Sequence, residues 1–186
     1  MKREIRVIGV DDSPFDKKSG HPVLVVGTVF RGGDWLDGVV STYVTPDGSD
    51  ATDKIADMIN KSKFHAQLRA VFLNGIAVAG FNVIDVNELA RKTKKAVIVV
   101  VREYPDFDDI FSALKKMKQE YKIGIIKTFP RLQKIGGVYA QWVGFSLEDV
   151  KQLMNIVCTR ALVPEPLRAA HLIGAGVVKG ESRGRA

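Results

Sequence analysis

The stretch that most narrowly constrains the fold is Ile5 to Phe15, Ile-Arg-Val-Ile-Gly-Val-Asp-Asp-Ser-Pro-Phe. Val7, Ile8 and Val10 are apolar, and their β-branched side chains favour a pleated strand. Pro14 has no N–H for a sheet ladder and biases Ser13 away from the helical region. The strand therefore ends at two adjacent carboxylates. Side chains alternate along a strand, so Asp11 and Asp12 point to opposite faces. One of them can look into a site while the other holds the turn. An ordinary turn role for both acids is the competing reading.

Two further strands follow at short spacing, Pro22 to Phe30 and Trp35 to Val44, separated by Gly32-Gly33. Short connections between successive strands favour antiparallel hairpins, so the first three strands read as a meander. The pattern changes at Asp47-Gly48-Ser49-Asp50. There a helix with Ile55, Met58 and Ile59 on one face is expected, with Asp50 as a candidate N-cap. Arg69 to Leu73 is a fourth strand ending at Asn74-Gly75. A short helix opens at Asp85, with Glu88 at the capping-box position. Val97 to Val101 is a continuous β-branched run, which is how a strand buried on both faces reads. From Asp106 one helix is expected to carry Phe107, Ile110, Phe111, Leu114, Met117 and Tyr121. A strand over Val138 to Val143, a helix capped by Ser146 with Asp149, and a last helix launched by Pro164-Glu165-Pro166 complete the chain. Three strands followed by alternating helices and strands define an α/β fold with a mixed sheet, in which the antiparallel meander is followed by parallel strands, and helices on both faces. Residues 1–178 read as a single domain and 179–186 as a basic tail.

Composition narrows the function classes. The 186 residues are 46% hydrophobic and 26% charged, as expected of a soluble globular chain. No apolar run approaches the roughly 20 residues of a membrane helix. No signal peptide is visible, and the single cysteine, Cys158, fits a reducing cytoplasm. The formal net charge of +7 points weakly to an anionic partner. Between residues 115 and 134 seven bases stand against one acid, Glu120. Lys115, Lys116 and Lys118, with Lys122, Lys127, Arg131 and Lys134, form either a solvated face or the wall of a phosphate-tracking groove. No Walker, CxxC or zinc-finger spacing is present. In open α/β sheets ligands sit beyond the carboxyl ends of parallel strands. Asp11, Asn74 and Arg102 all fall at such ends, and Asp50 and His171 approach from helices.

The chain resembles the archaeal UPF0215 (domain of unknown function 99) family. The residues that carry the resemblance are Gly9-Val10-Asp11-Asp12-Ser13-Pro14-Phe15, Gly75-Ile76 with Gly80-Phe81-Asn82-Val83-Ile84-Asp85, Pro164-Glu165-Pro166-Leu167-Arg168, and Gly180-Glu181-Ser182-Arg183-Gly184-Arg185-Ala186. More distantly it is similar to endonuclease V, a ribonuclease H-like nuclease that uses acidic residues to hold divalent metal and cut near deaminated bases. That similarity implies a ribonuclease H-like fold. It makes Asp11 the first metal-binding carboxylate and sets Asp50 where the enzyme has a catalytic Glu. Asn74 replaces a second metal-binding aspartate, Arg102 stands where the enzyme has an active-site lysine, and His171 lies on the final helix of the site. The implied catalytic set is Asp11, Asp50, Asn74 and His171. The implied ligands of Mg²⁺ or Mn²⁺ are Asp11, Asp50 and His171. Arg102, Lys115, Lys116, Lys118 and Arg168 would contact nucleic acid, although Arg168 can equally pair with Glu165. An amide is a weaker ligand than a carboxylate for a hard cation, so Asn74 sets a cutting enzyme against a module that binds nucleic acid or nucleotide without cutting. A small-molecule or protein-interaction module is the third alternative. The sequence does not fix the oligomeric state.

Overall fold

The computed structural model describes residues 1–182. A seven-stranded sheet runs in the order β3-β2-β1-β4-β7-β9-β8. Strands β1 (Arg6–Asp12), β2 (Val23–Arg31) and β3 (Trp35–Val44) form the expected antiparallel meander. Strands β4 (Leu68–Asn74) and β7 (Ala96–Val101) continue from β1 in parallel. The expected run of parallel strands stops there: β9 (Val138–Val143) pairs antiparallel with β7, because the short β8 (Gln133–Ile135) leads into it as an antiparallel hairpin. A two-stranded hairpin, β5 (Ala77–Val78) and β6 (Asn82–Val83), stands apart from the sheet.

Alternation along the strands divides the core into two layers. Ile8, Val10, Val71, Leu73, Val97 and Val99 bury against α1 (Ala51–Lys61) and α2 (Val86–Thr93). Val7, Phe72, Ile98 and Val100 bury against α5 (Leu147–Val157) and α6 (Glu165–Lys179). The unbroken apolar run of β7 follows from this, since both of its faces are covered. Phe72 is fully buried, and truncating such a side chain costs about 3–5 kcal/mol.

Two expected helix features differ. The helix from Asp106 is two helices, α3 (Phe107–Lys116) and α4 (Tyr121–Ile126), with Lys118 at φ +56° between them. The turn lets Ile123 and Ile126 of α4 join Leu114 of α3 and Val83 of β6 in a third apolar cluster. A straight helix would carry them past it. Asp50 does not cap α1; its carboxylate turns back to β3 and the hairpin. Asp85 caps α2 as expected by accepting from Asn87 N–H and Glu88 N–H, whereas Glu88 pairs with Arg91. Ser146 and Asp149 form a complete capping box. Of the proposed tail, Lys179 is the last residue of α6, Gly180 caps it in the left-handed region, and Arg183 to Ala186 lie outside the described residues.

Candidate functional site

The site forms where β1 and β4 end side by side. Parallel pairing sets Val10 opposite Leu73, so Asp11 and Asn74 emerge as neighbours. Asp11 shares the sheet face of Val7 and Gly9, beneath α6, and Asp12 shares the face of Ile8 and Val10. The two carboxylates are thus divided as the alternation requires. Asp12 Oδ2 accepts the N–H of Ala79 at 2.7 Å, on the hairpin side. Asp11 is 3% exposed. Its Oδ1 accepts from Asn74 Nδ2 at 3.2 Å, and its Oδ2 lies 3.1 Å from His171 Nδ1.

Local sequence brings α6 close enough for this contact. A Cβ on Gly9 would lie 2.4 Å from the carbonyl carbon of Pro166, so only glycine lets the helix start lie against β1. Thr28 Oγ1 of β2 donates to the Pro166 carbonyl at 2.6 Å. Further along, Gly174 faces Ser13 in the same close manner. Leu167, Ala170, His171 and Gly174 follow the 3,4 spacing of one helix face. Buried Glu165 holds the helix start by accepting from Arg160 N–H and from Arg168 Nε at 2.8 Å. The structure therefore gives Arg168, a candidate nucleic-acid contact, to Glu165.

The electrostatics distinguish the groups. Burial pushes the Asp12 carboxyl up to about 6, against the opposing Ala79 N–H and with help from the charge of Asp11. The hydrogen bond to Asp11 raises the His171 pKa, while exposed Arg102, immediately after β7, opposes the rise through its charge. Stability from the His171–Asp11 pair is fully present below the ordinary imidazole value and is lost as pH rises through the raised one. Asn74 Oδ1 and His171 Nε2 make no hydrogen bond among the described residues, which leaves an acceptor and a ring nitrogen for a ligand.

The remaining candidates lie elsewhere. Asp50 accepts from Thr45 Oγ1 at 3.0 Å and from Asn82 Nδ2 at 2.6 Å. Burial opposes its ionisation, but these donors outweigh it and hold the carboxyl below its ordinary value. Among the described residues no three His, Cys, Asp or Glu side chains converge into a group that could hold a metal. The expected ligand set Asp11, Asp50 and His171 is corrected accordingly, because Asp50 is bonded into the loop that joins β3 to α1. Lys115, Lys116 and Lys118 are exposed around the end of α3. Lys122, read as part of the same solvated run, is 1% exposed. Its Nζ donates to the carbonyls of Asp47, Gly48 and Phe81 and to Gln119 Oε1. Burial lowers its pKa. Cys158 is a half-buried thiol pushed up to about 12 by burial, which suppresses the thiolate. No described helix is long and apolar enough to cross a membrane.

A mixed sheet of this order with helices on both faces has a ribonuclease H-like α/β fold, and the buried acid and the histidine sit at the carboxyl edge of its first strand. Residues 3–178 match the model of the family described as endonuclease dU, and the chain belongs to that family. The UPF0215 protein of Methanosarcina barkeri is 47% identical over 191 residues, covering 100% of this chain and 97% of that one. A crystal structure of an Archaeoglobus fulgidus protein of unknown function superposes with TM-score 0.87 at 34% identity, covering 93% of this chain and 98% of the other. Endonuclease V of Ciona intestinalis, solved with DNA containing an inosine, shares the fold at TM-score 0.56 and 14% identity, with 89% and 82% of the chains covered.

Proposed function

We propose that this protein binds nucleic acid across the carboxyl edge of its sheet and hydrolyses a phosphodiester at the Asp11 cluster, with deoxyuridine-containing DNA as the substrate class. The observation that carries the reading is the buried Asp11 carboxylate between Asn74 and His171. Family membership and the DNA-bound endonuclease V neighbour support it.

The donor set does not fit a preformed two-ion centre, because one buried carboxylate, one amide and one imidazole carry too little negative charge. It fits a single Mg²⁺ or Mn²⁺ held by Asp11, with the Asn74 carbonyl oxygen beside it, since Mg²⁺ commonly binds through one or two carboxylates, water and substrate phosphate. Such an ion supplies Lewis-acid polarisation of the phosphate and an acidified water. His171, anchored through Nδ1, presents Nε2 for proton transfer. Arg102 stands where a cation can meet the phosphate charge. The neutral Asn74 favours one alternative, a cleft that binds the strand without cutting it.

An oligonucleotide with one deoxyuridine, incubated with Mn²⁺ or Mg²⁺, tests both readings. Cleavage that falls at least roughly a hundredfold in Asp11→Ala supports the enzyme. Retention of the strand without cleavage by either protein selects the binding module. Cleavage that survives in the variant shows that the chemistry lies at other residues.

A further inference from the structure

On the opposite face of the same sheet edge, two adjoining recesses of about 380 and 240 Å³ share Phe107, Leu132 and Gln141. The smaller is bounded by Gly75 and Val101, the chain neighbours of Asn74 and Arg102. The larger adds Tyr104, Phe129 and the exposed cations Lys127 and Arg131. Tyr104 meets Phe107 edge-on at 6.0 Å, so the wall between them is aromatic. Gln141 is the anomaly. It sits mid-strand on β9 opposite Val99 and is 2% exposed, yet its carboxamide makes no hydrogen bond among the described residues. The fully enclosed side-chain polar atom without a partner among the described residues is Ser13 Oγ, so the Gln141 amide, although its residue is buried, is open to the recess and can meet the polar edge of a ligand there. An apolar recess with a few convergent polar groups is the usual form of a small planar-ligand site.

We propose that Gln141 is a specificity-determining residue that reads a single unstacked nucleobase held in this recess. Its Nε2–H donates to a ring carbonyl and its Oε1 accepts from the adjacent ring N–H, as the O4 and N3–H of uracil provide. The ring lies against Phe107 and Tyr104, and Lys127 and Arg131 face the flanking phosphates. The assignment of uracil rests on the proposed function above; the fit to a base edge rests on the recess. Two hydrogen bonds to one base edge discriminate by roughly tenfold or more.

The test compares oligonucleotides carrying one deoxyuridine or one tetrahydrofuran abasic site at the same position, binding to the unaltered protein and to Gln141→Leu with chelator present. The unaltered protein prefers deoxyuridine by about tenfold, and Gln141→Leu binds both strands as the unaltered protein binds the abasic one. Its melting temperature is unchanged or higher, because the amide that is lost holds no protein partner among the described residues. A preference that persists in Gln141→Leu overturns the inference, as does a lower melting temperature, which would make Gln141 structural. If the unaltered protein retains neither strand, the nucleic-acid reading fails on its own. Saturation-transfer NMR with free 2′-deoxyuridine then decides the recess: a signal lost in Gln141→Leu sustains it, and no signal with the unaltered protein overturns it.

Discussion

Two polar networks meet at one edge of the sheet and differ in where their hydrogen bonds end. Around Asp11 the bonds run between side chains from three separate elements, β1, β4 and α6. Around Asp50, Asn82 and Lys122 they run mostly to the main chain. Lys122 bonds three carbonyls, Asn82 takes the Thr45 carbonyl and the Ala51 N–H, and Asp50 takes the Thr45 N–H. The networks touch at Ala79, whose N–H goes to Asp12 and whose carbonyl accepts from Asp47 N–H. The second network does for irregular loops what a ladder does for strands, satisfying backbone groups that would otherwise be buried unpaired. The first satisfies almost no backbone and keeps free polar atoms at its rim. The difference separates scaffold from site even though both contain a buried charge.

The largest effect expected in the second network is that of Lys122→Met. The aliphatic stem is retained, but the carbonyls of Gly48 and Phe81 lose the ammonium donor, and that of Asp47 keeps only Gln119 Nε2. Leaving buried carbonyls unpaired costs about 1–3 kcal/mol each at most, so a total loss of about 2–4 kcal/mol is expected by chemical denaturation. The imidazole titration of His171, followed by NMR, keeps its raised midpoint. A variant as stable as the parent would break the division between the networks, because a scaffold that can be removed without cost supports nothing.

Asp12→Asn probes the seam between them, with a smaller effect of opposite sign. The folded-state carboxyl titrates near 6 and the ordinary value is 3.8. Between those values the unfolded chain gives up a proton that the folded protein keeps, so stability falls as pH rises through this window and stays reduced above it. An asparagine still accepts the Ala79 N–H through its amide oxygen but carries no charge to desolvate. With chelator present, the variant is expected to be about 1–3 kcal/mol more stable than the parent at pH 8 and nearly equal to it at pH 3.5. A gain independent of pH would assign the effect to packing instead of to the buried charge.

The two networks were unequally legible in the sequence. Asp11 could be placed because strand alternation and a proline stop act locally, and the β-branched run of Val97 to Val101 marked a strand covered on both faces, although the order of the strands was not legible. The resemblance to endonuclease V added His171, which no local pattern on an apolar helix distinguishes from a core histidine. Asp50 failed as a cap because its alternative partner, Asn82, is 32 residues away and fully buried. Lys122 failed for a similar reason: the carbonyls that neutralise it come from two distant loops, and a lysine among lysines carries no sign of burial. The break at Lys118 was hidden because the apolar spacing from Phe107 to Tyr121 stays close to helical across it. Gln141 did leave a trace, a lone amide in Val-Tyr-Ala-Gln-Trp-Val, but alternation alone does not say that its face is closed.

The smallest effect sharpens the comparison within one run of sequence. Lys115, Lys116 and Lys118 are exposed and Lys122 is buried, so only the first three can release counterions from a bound strand. Each phosphate contact adds about 0.9 to the slope of log affinity against log salt for duplex DNA and about 0.7 for a single strand. If the three lysines line the nucleic-acid path, replacing them together with Glu lowers that slope by about 2. Stability should stay within about 0.5 kcal/mol of the parent, as for other exposed positions. Lys122→Met, which also removes a formal charge, should leave the slope unchanged at temperatures where it remains folded, because its ammonium group already faces protein carbonyls. Equal slopes for the triple variant and the parent would move the path of the strand away from α3, toward Lys127 and Arg131 on the far side of the recess.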